Sequence, residues 1–329
     1  MKKIFFFLSF AACLYACQQE KSETSPASAA AEIWYEDDKA LEYKNLKLLP
    51  LVVSQAFIRD RAAAAELLPL KDAIEIPRFR ITEKKPFGRF DDHNAVNALT
   101  VQNKSEFPVF LMSGDVVQGG RQDRVIAADA VVMPRTIKDI SVFCVEPNRW
   151  NYEPQEAPEA ADNPGKKVYA FKGYYNVAAN EIRKTLAQQE GQDAVWQKVS
   201  QIRARHKVNS PTGAYADLEK SESFTQLRDA YLNYFSQKFE NTEQVVGLIA
   251  ISGNQILGTD IFAHPNLFKR QYESLLHSYI TDALTAEATG KMSAPDIADY
   301  AKKVLTRFEK EKSTPALQYK SVTIHFSDL

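Results

Sequence analysis

The chain has 329 residues, 45% of them hydrophobic, with 41 basic against 42 acidic side chains and a formal charge of −1. That balance, with no basic run anywhere, excludes nucleic acid as a partner, because phosphate binding needs clustered Lys and Arg. The three cysteines are too few for a disulfide-stapled scaffold, so a hydrophobic core must hold the fold.

The N-terminus reads as an address. Lys2 and Lys3 form a charged start, and Ile4 to Leu14 is an apolar run too short to span a bilayer. Leu14-Tyr15-Ala16-Cys17 then resembles a bacterial lipoprotein signal. Residues 1–16 are expected to be removed, leaving Cys17 as a lipidated first residue. Two or three acyl chains hold a protein on a membrane where one does not. The expected location is a lipid-anchored position facing the periplasm or cell exterior, at the outer membrane. No later stretch reaches ~18 apolar residues. With Cys13 lost and Cys17 modified, Cys144 is left as a free thiol and no intramolecular disulfide is expected.

Residues 17–33 are polar and small and read as a flexible tether. A single domain is expected over 34–329, with a β-rich part at 34–150, a loop seam at 151–176 and an α-rich part at 177–329. Apolar runs at 48–53, 98–101, 108–112, 130–133 and 140–145 predict strands, each bounded by Asn, Asp, Gly or Pro. Ala62 to Ala73 is the helix expected among them. Several runs are apolar on both faces, so a sheet covered on both sides is expected, and Cys144 is placed on such a strand as a buried small hydrophobe.

Pro154, Pro158 and Pro164 mark the seam. Beyond it the period turns helical. Val195, Val199 and Ile202 form one stripe, and Phe224, Leu227, Tyr231, Tyr234 and Phe235 a second. Val245–Ala250 and Gln255–Ala263 flank Ser252-Gly253-Asn254 as a hairpin. Pro265 suits the first turn of a helix through Tyr279, Gly290 its stop, and Ser293 the cap of another carrying Ile297, Ala301, Val304 and Phe308. His264 reads as a helix-start residue. Lys320 to Phe326 alternates as a final strand. A β-rich half packed with helices, one hairpin and a last strand is an α+β fold.

The common catalytic signatures are absent, and His93, His206, His264, His277 and His325 show no metal-like spacing. No metal or cofactor is expected, and the catalytic residues are unknown. Glycine is scarce, 12 in the chain, yet Gly114, Gly119 and Gly120 fall within Gly114-Asp115-Val116-Val117-Gln118-Gly119-Gly120-Arg121-Gln122-Asp123-Arg124. Cys144-Val145-Glu146-Pro147-Asn148-Arg149-Trp150 follows.

These two runs resemble the most distinctive motifs of the ARG and Rhodanese-Phosphatase-superfamily-associated protein domain family, which has no established biochemical function. The likeness covers nearly all of 34–329, including the hairpin at 246–262 and Leu275-Leu276-His277-Ser278-Tyr279 after it. The chain departs from the family pattern at Asp115 (Glu is usual), Asp123 (Asn is usual) and His264 (a small residue is usual). The family name implies genomic company with a phosphatase-like enzyme, hence phosphorylated or nucleotide-derived ligands.

Physically, Gly119-Gly120 can expose successive amides as an anion nest. Arg121, Arg124 and Arg149 can supply planar forks, Asp115, Gln122 and Glu146 can orient them, and Trp150 can stack on a ring. The same residues equally make a tight turn pinned by buried ion pairs. Three functions stand open. The first is a lipid-anchored module binding an anionic, phosphorylated or nucleotide-sugar-like small molecule or an unspecified protein partner. The second is a hydrolase of a phosphorylated or glycosylated substrate using Asp115 or Glu146. The third is a structural envelope protein. Missing nucleophile motifs favour the first over the second.

Overall fold

The computed structural model describes residues 33–83, 97–149, 170–286, 289–311 and 317–329. The chain begins with β1 (Ile33–Tyr35), β2 (Leu41–Tyr43) and β3 (Leu46–Val53), then α1 (Gln55–Asp60), the short β4 (Leu68–Pro69) and α2 (Leu70–Ala73). Next come β5 (Phe79–Glu83), β6 (Ala98–Asn103), β7 (Val109–Leu111), β8 (Asp115–Gly119), β9 (Arg124–Ile126), β10 (Ala130–Val132), β11 (Thr136–Cys144) and β12 (Ala170–Val177). Helices α3 (Asn180–Ala187), α4 (Gln192–Arg205) and α5 (Glu222–Phe235) lead to the hairpin of β13 (Val245–Ser252) and β14 (Gln255–Phe262). The last elements are α6 (Pro265–Thr285), α7 (Ala294–Glu311), β15 (Gln318–Tyr319), β16 (Val322–Thr323) and β17 (His325–Asp328). This is the expected α+β fold.

Two strand assemblies carry it. The first is an antiparallel sheet in the order β1-β3-β13-β14-β17, with β2 also on β3. Its central strands are apolar on both faces. Leu46, Leu48, Leu248 and Ala250 meet Phe268, Leu275, Leu276 and Tyr279 of α6 with Tyr231 and Phe235 of α5. On the opposite face, Leu49, Leu51, Ile249 and Ile251 meet Ile297, Ala301, Val304 and Phe308 of α7. Each fully buried Leu or Phe here contributes roughly 1.5–3 kcal/mol. The sheet is therefore covered on both sides, as the runs of Leu, Val and Ile required.

The second assembly is a closed barrel in the order β11-β6-β5-β12-β8-β9. Period-2 alternation builds it: Leu99 and Val101 of β6 point inward beside Phe79, Ile81, Val117, Ile140, Val142 and Phe171. Strands β8 and β9 are joined through the Gly119-Gly120 turn. Their Val116 and Val125 pack against Val195, Val199 and Ile202 of α4. Helix α6 touches sheet and barrel strands alike, since Gln271 reaches Asp115 of β8.

Several expectations are corrected. Ala62–Ala73 is not one helix. Pro69 lacks an amide and disfavours helix before it, so a 3₁₀ turn at Ala62–Glu66, strand β4 and α2 share that stretch. The seam ends earlier than 176, because 170–177 is strand β12; Gly173 and an irregular burial pattern hid it. Helix α6 ends at Thr285, ahead of Gly290. Leu227 lies off its stripe and is 46% exposed. Lys320 and Ser321 have positive φ, so the final alternating segment turns once before β17 joins the sheet. Strand β11 is not apolar on both faces, because Ile137, Asp139 and Ser141 face solvent, although Cys144 itself is buried. His264 caps α6 as expected, its Nδ1 accepting the Asn266 amide. The signal, Cys17, residues 17–32 of the tether and the seam at 151–169 lie outside the described residues, while Ile33, expected to end the tether, begins β1.

Candidate functional site

The glycine turn is built from inside. Gly119 and Gly120 have φ of 126° and 54°, and a Cβ on Gly120 would lie 2.5 Å from the Phe171 ring. The amides so exposed meet the protein's own carboxylates. Gly119 donates to Asp123 at 3.1 Å, Arg121 to Glu83 at 2.9 Å and Asp123 to Glu146 at 3.1 Å.

Arg149 closes the turn from the second motif. Its Nε donates to Glu146 at 2.6 Å, and its other nitrogens donate to Asp123 and the carbonyls of Gly119 and Gly120. Arg124 is 1% exposed and donates to the Gln122 carbonyl at 3.1 Å, with Glu83 3.6 Å away. Gln122 in turn donates to the Glu146 carbonyl. Burial, and then repulsion from Glu146, push the Asp123 carboxyl up to about 6 despite Arg149.

Thus Arg124, Gln122, Glu146 and Arg149 come together around Gly119-Gly120, with Arg121 on the same turn. Asp115 does not join them. It is buried on β8, accepting from the Met112 amide, the Tyr174 hydroxyl and the Gln271 side chain at 2.8–3.1 Å, and burial raises it to about 6. Burial also pushes the Cys144 thiol up. Trp150 lies outside the described residues.

A second charged cluster ties barrel to sheet. Asp260 on β14 is fully buried and accepts from Arg183 of α3, Tyr279 of α6, and Ser327 and His325 of β17. His325 Nδ1 meets Asp129, after β9, at 2.7 Å. Gly114 is required beside it, since a Cβ would lie 2.8 Å from Arg183 Cγ. Burial alone would raise Asp260, but Arg183 and His325 outweigh it and hold the carboxyl below its usual range. Burial would likewise lower His325, yet Asp129 and Asp260 raise it to about 9.

The order Asp129, His325, Ser327 outwardly matches a nucleophile relay, with Ser327 Oγ 3.2 Å from Nε2. The chemistry does not follow. An imidazolium has no lone pair to take a proton, and the Ser327 hydroxyl already donates to Asp260. This cluster joins elements rather than activating a nucleophile.

Three clefts among the described residues bear on ligand binding. One, near Lys44, Lys47 and Lys291, has its charges engaged: Lys47 by Asp37, Lys291 by Glu42 and Lys44 by the rings of Tyr43 and Tyr231. Another opens at the start of α3. The largest of these three, about 420 Å³, lies beside β5 and β12. The half-buried Ile74 and Ile76 give it apolar surface, and Arg78, Arg80, Lys104 and Lys172 give it charge, with Glu75 the acid among its lining residues.

Arg80 sits opposite Gln102 in the ladder, and the Lys104 amide donates to the Arg78 carbonyl at 2.8 Å. Among the described residues Arg78, Arg80 and Lys104 form no ion pair, and Arg80 Nε is buried without a partner. Sequence reasoning missed this set. Its signal was the Pro77-Arg78-Phe79-Arg80 alternation, which puts two arginines on one side of a strand edge. No group of three or more potential metal ligands occurs among the described residues.

The model of the ARG and Rhodanese-Phosphatase-superfamily-associated Protein domain matches residues 35–325, and the chain belongs to that family. Neither a curated protein nor a solved structure matches the chain.

Proposed function

We propose that this protein is a lipid-anchored binding module of the cell envelope, taking an anionic ligand of the phosphorylated or nucleotide-sugar-like class in the cleft beside β5 and β12. One observation carries the reading: Arg78, Arg80 and Lys104, which form no ion pair among the described residues, line one cleft together with Ile74 and Ile76. Guanidinium forks suit phosphate oxygens, and Ile74 and Ile76 offer a face to a ring or an acyl chain.

Pyrophosphate is the probe for the cleft. Calorimetric titration is expected to show binding that weakens as salt rises, and Arg80→Gln with Lys104→Gln is expected to lower affinity at least tenfold without changing the melting temperature. Equal binding by the double variant would overturn the assignment.

The anchor rests on Cys17 at the end of the apolar leader. Cys17→Ala is expected to move the protein from the membrane to the soluble fraction with its fold intact. Equal partition of both forms would remove the lipid anchor from the reading and leave the cleft untouched.

A further inference from the structure

The cleft at the start of α3 holds charges that neither the glycine turn nor the Asp260 cluster uses. Asp282 of α6 is 7% exposed, and its Oδ2 accepts the Asn180 amide at 2.8 Å, capping the first turn of α3. Its Oδ1 makes no hydrogen bond among the described residues, and the residue lines a cleft of about 310 Å³. Lys184, half-buried one turn along α3, lines the same cleft and forms no ion pair among the described residues. Arg205 enters from α4 beside its partner Glu181.

The arrangement constrains what fits. A simple anion would meet the unbonded carboxylate oxygen of Asp282, and a simple cation would meet Lys184 and Arg205. A molecule carrying both signs satisfies both ends. The volume is at the low end of small-ligand sites, roughly 300–1,000 Å³. We propose that this cleft binds a small zwitterion, an amino acid or the end of a short peptide, with its ammonium on Asp282 and its carboxylate on Lys184. The site is separate from the anion cleft of the barrel and shares no lining residue with it.

Proton linkage supports the assignment. Burial pushes the Asp282 carboxyl up to about 7; the Asn180 amide opposes this, Glu181 adds to it, and Lys184 and Arg183 offset part. Among the described residues, the charged and titratable groups facing it are Glu181, Arg183 and Lys184 of α3, Arg205 of α4 and the Tyr215 phenol. An ammonium needs the ionised form, so affinity should fall below neutral pH by up to about tenfold per unit. The ionised carboxylate also opposes folding above its unfolded pKa.

The test is calorimetric titration of the full protein with a panel of free amino acids and alanyl-alanine at pH 8, 7 and 6. At least one member should bind, more weakly at pH 6 than at pH 8, and acetate and methylammonium should not match it. Asp282→Asn keeps the cap; it should cut affinity more than tenfold, abolish the pH dependence and melt at or above the wild-type temperature at pH 8. Lys184→Gln should weaken binding, and Arg80→Gln should leave it unchanged. No binding by any member at pH 8, acetate binding as well as the amino acids, or an unaffected Asp282→Asn protein would each overturn the proposal.

Discussion

Arginines serve two opposite ends in this molecule. Around Gly119-Gly120, Arg124 and Arg149 face inward and are matched by Glu83, Asp123 and Glu146. Beside β5, Arg78 and Arg80 face a cleft and have no acid at ion-pair distance among the described residues. The distinctive motif thus falls on the self-satisfied group, and the plain stretch on the open one. A recognisable charge pattern is one that must be assembled correctly for folding; a binding surface needs only position and an unmet charge.

The strongest way to break this contrast is at the buried group. Arg183→Gln leaves the Asp260 carboxylate in the interior with His325 as its remaining cation, and a loss of about 3–5 kcal/mol is expected in urea unfolding. Arg149→Gln, at a partly exposed site, should cost about 1–3 kcal/mol. Arg80→Gln should stay within about 0.5 kcal/mol of wild type. Equal costs at Arg149 and Arg80 would erase the distinction between the two regions.

A pH titration sharpens it. His325, raised to about 9, gives stability that is complete below the ordinary histidine value of 6.5 and lost as pH climbs towards 9. Asp115 and Asp123, both raised to about 6, favour the fold when protonated, so their penalty grows between pH 4 and 6 and is full above that. Asp260, held low, contributes above the ordinary carboxylate value and is lost only in stronger acid. The melting temperature should therefore fall from pH 6.5 to 9. His325→Gln should flatten that slope, and an unchanged slope would refute the charged-histidine bridge.

The smallest effect is expected at Cys144. Its thiol is 1% exposed and raised by burial, so iodoacetamide should label it only on unfolding. Rapid native labelling would show that the barrel opens beside the glycine turn.

How much was legible in one dimension follows the range of the interactions. The central sheet was readable because β3 and β13 are continuous apolar runs, and α6 because Pro265 and its stripe are local signals. Gly119-Gly120 was readable because positive φ is a property of the residue itself. Asp115 was misplaced: its nearness in sequence to the arginines says nothing about direction, and β8 turns it toward α6. The Asp260 cluster takes Arg183, His325, Asp129 and Tyr279 from separate elements, with no spacing to reveal it. Arg80 and Lys104 meet only because β5 and β6 pair, and Asp282 and Lys184 only because α6 crosses the start of α3.

The order of strands in the central sheet sets a schedule for folding. Strand β3 is made early, yet its neighbour β13 is synthesised only after the whole barrel; Gln244 bonds to Val53 across a separation of 191 residues. The barrel strands β5 to β12 need nothing from the C-terminal hairpin to pair with one another, so they can close first. Until the hairpin arrives, Leu48 to Val53 is a bare edge, apolar on both sides, of the kind that aggregates or recruits a holding chaperone. Slow refolding and early aggregation through this strand are the kinetic signature of a sheet whose middle is sewn from distant parts of the chain.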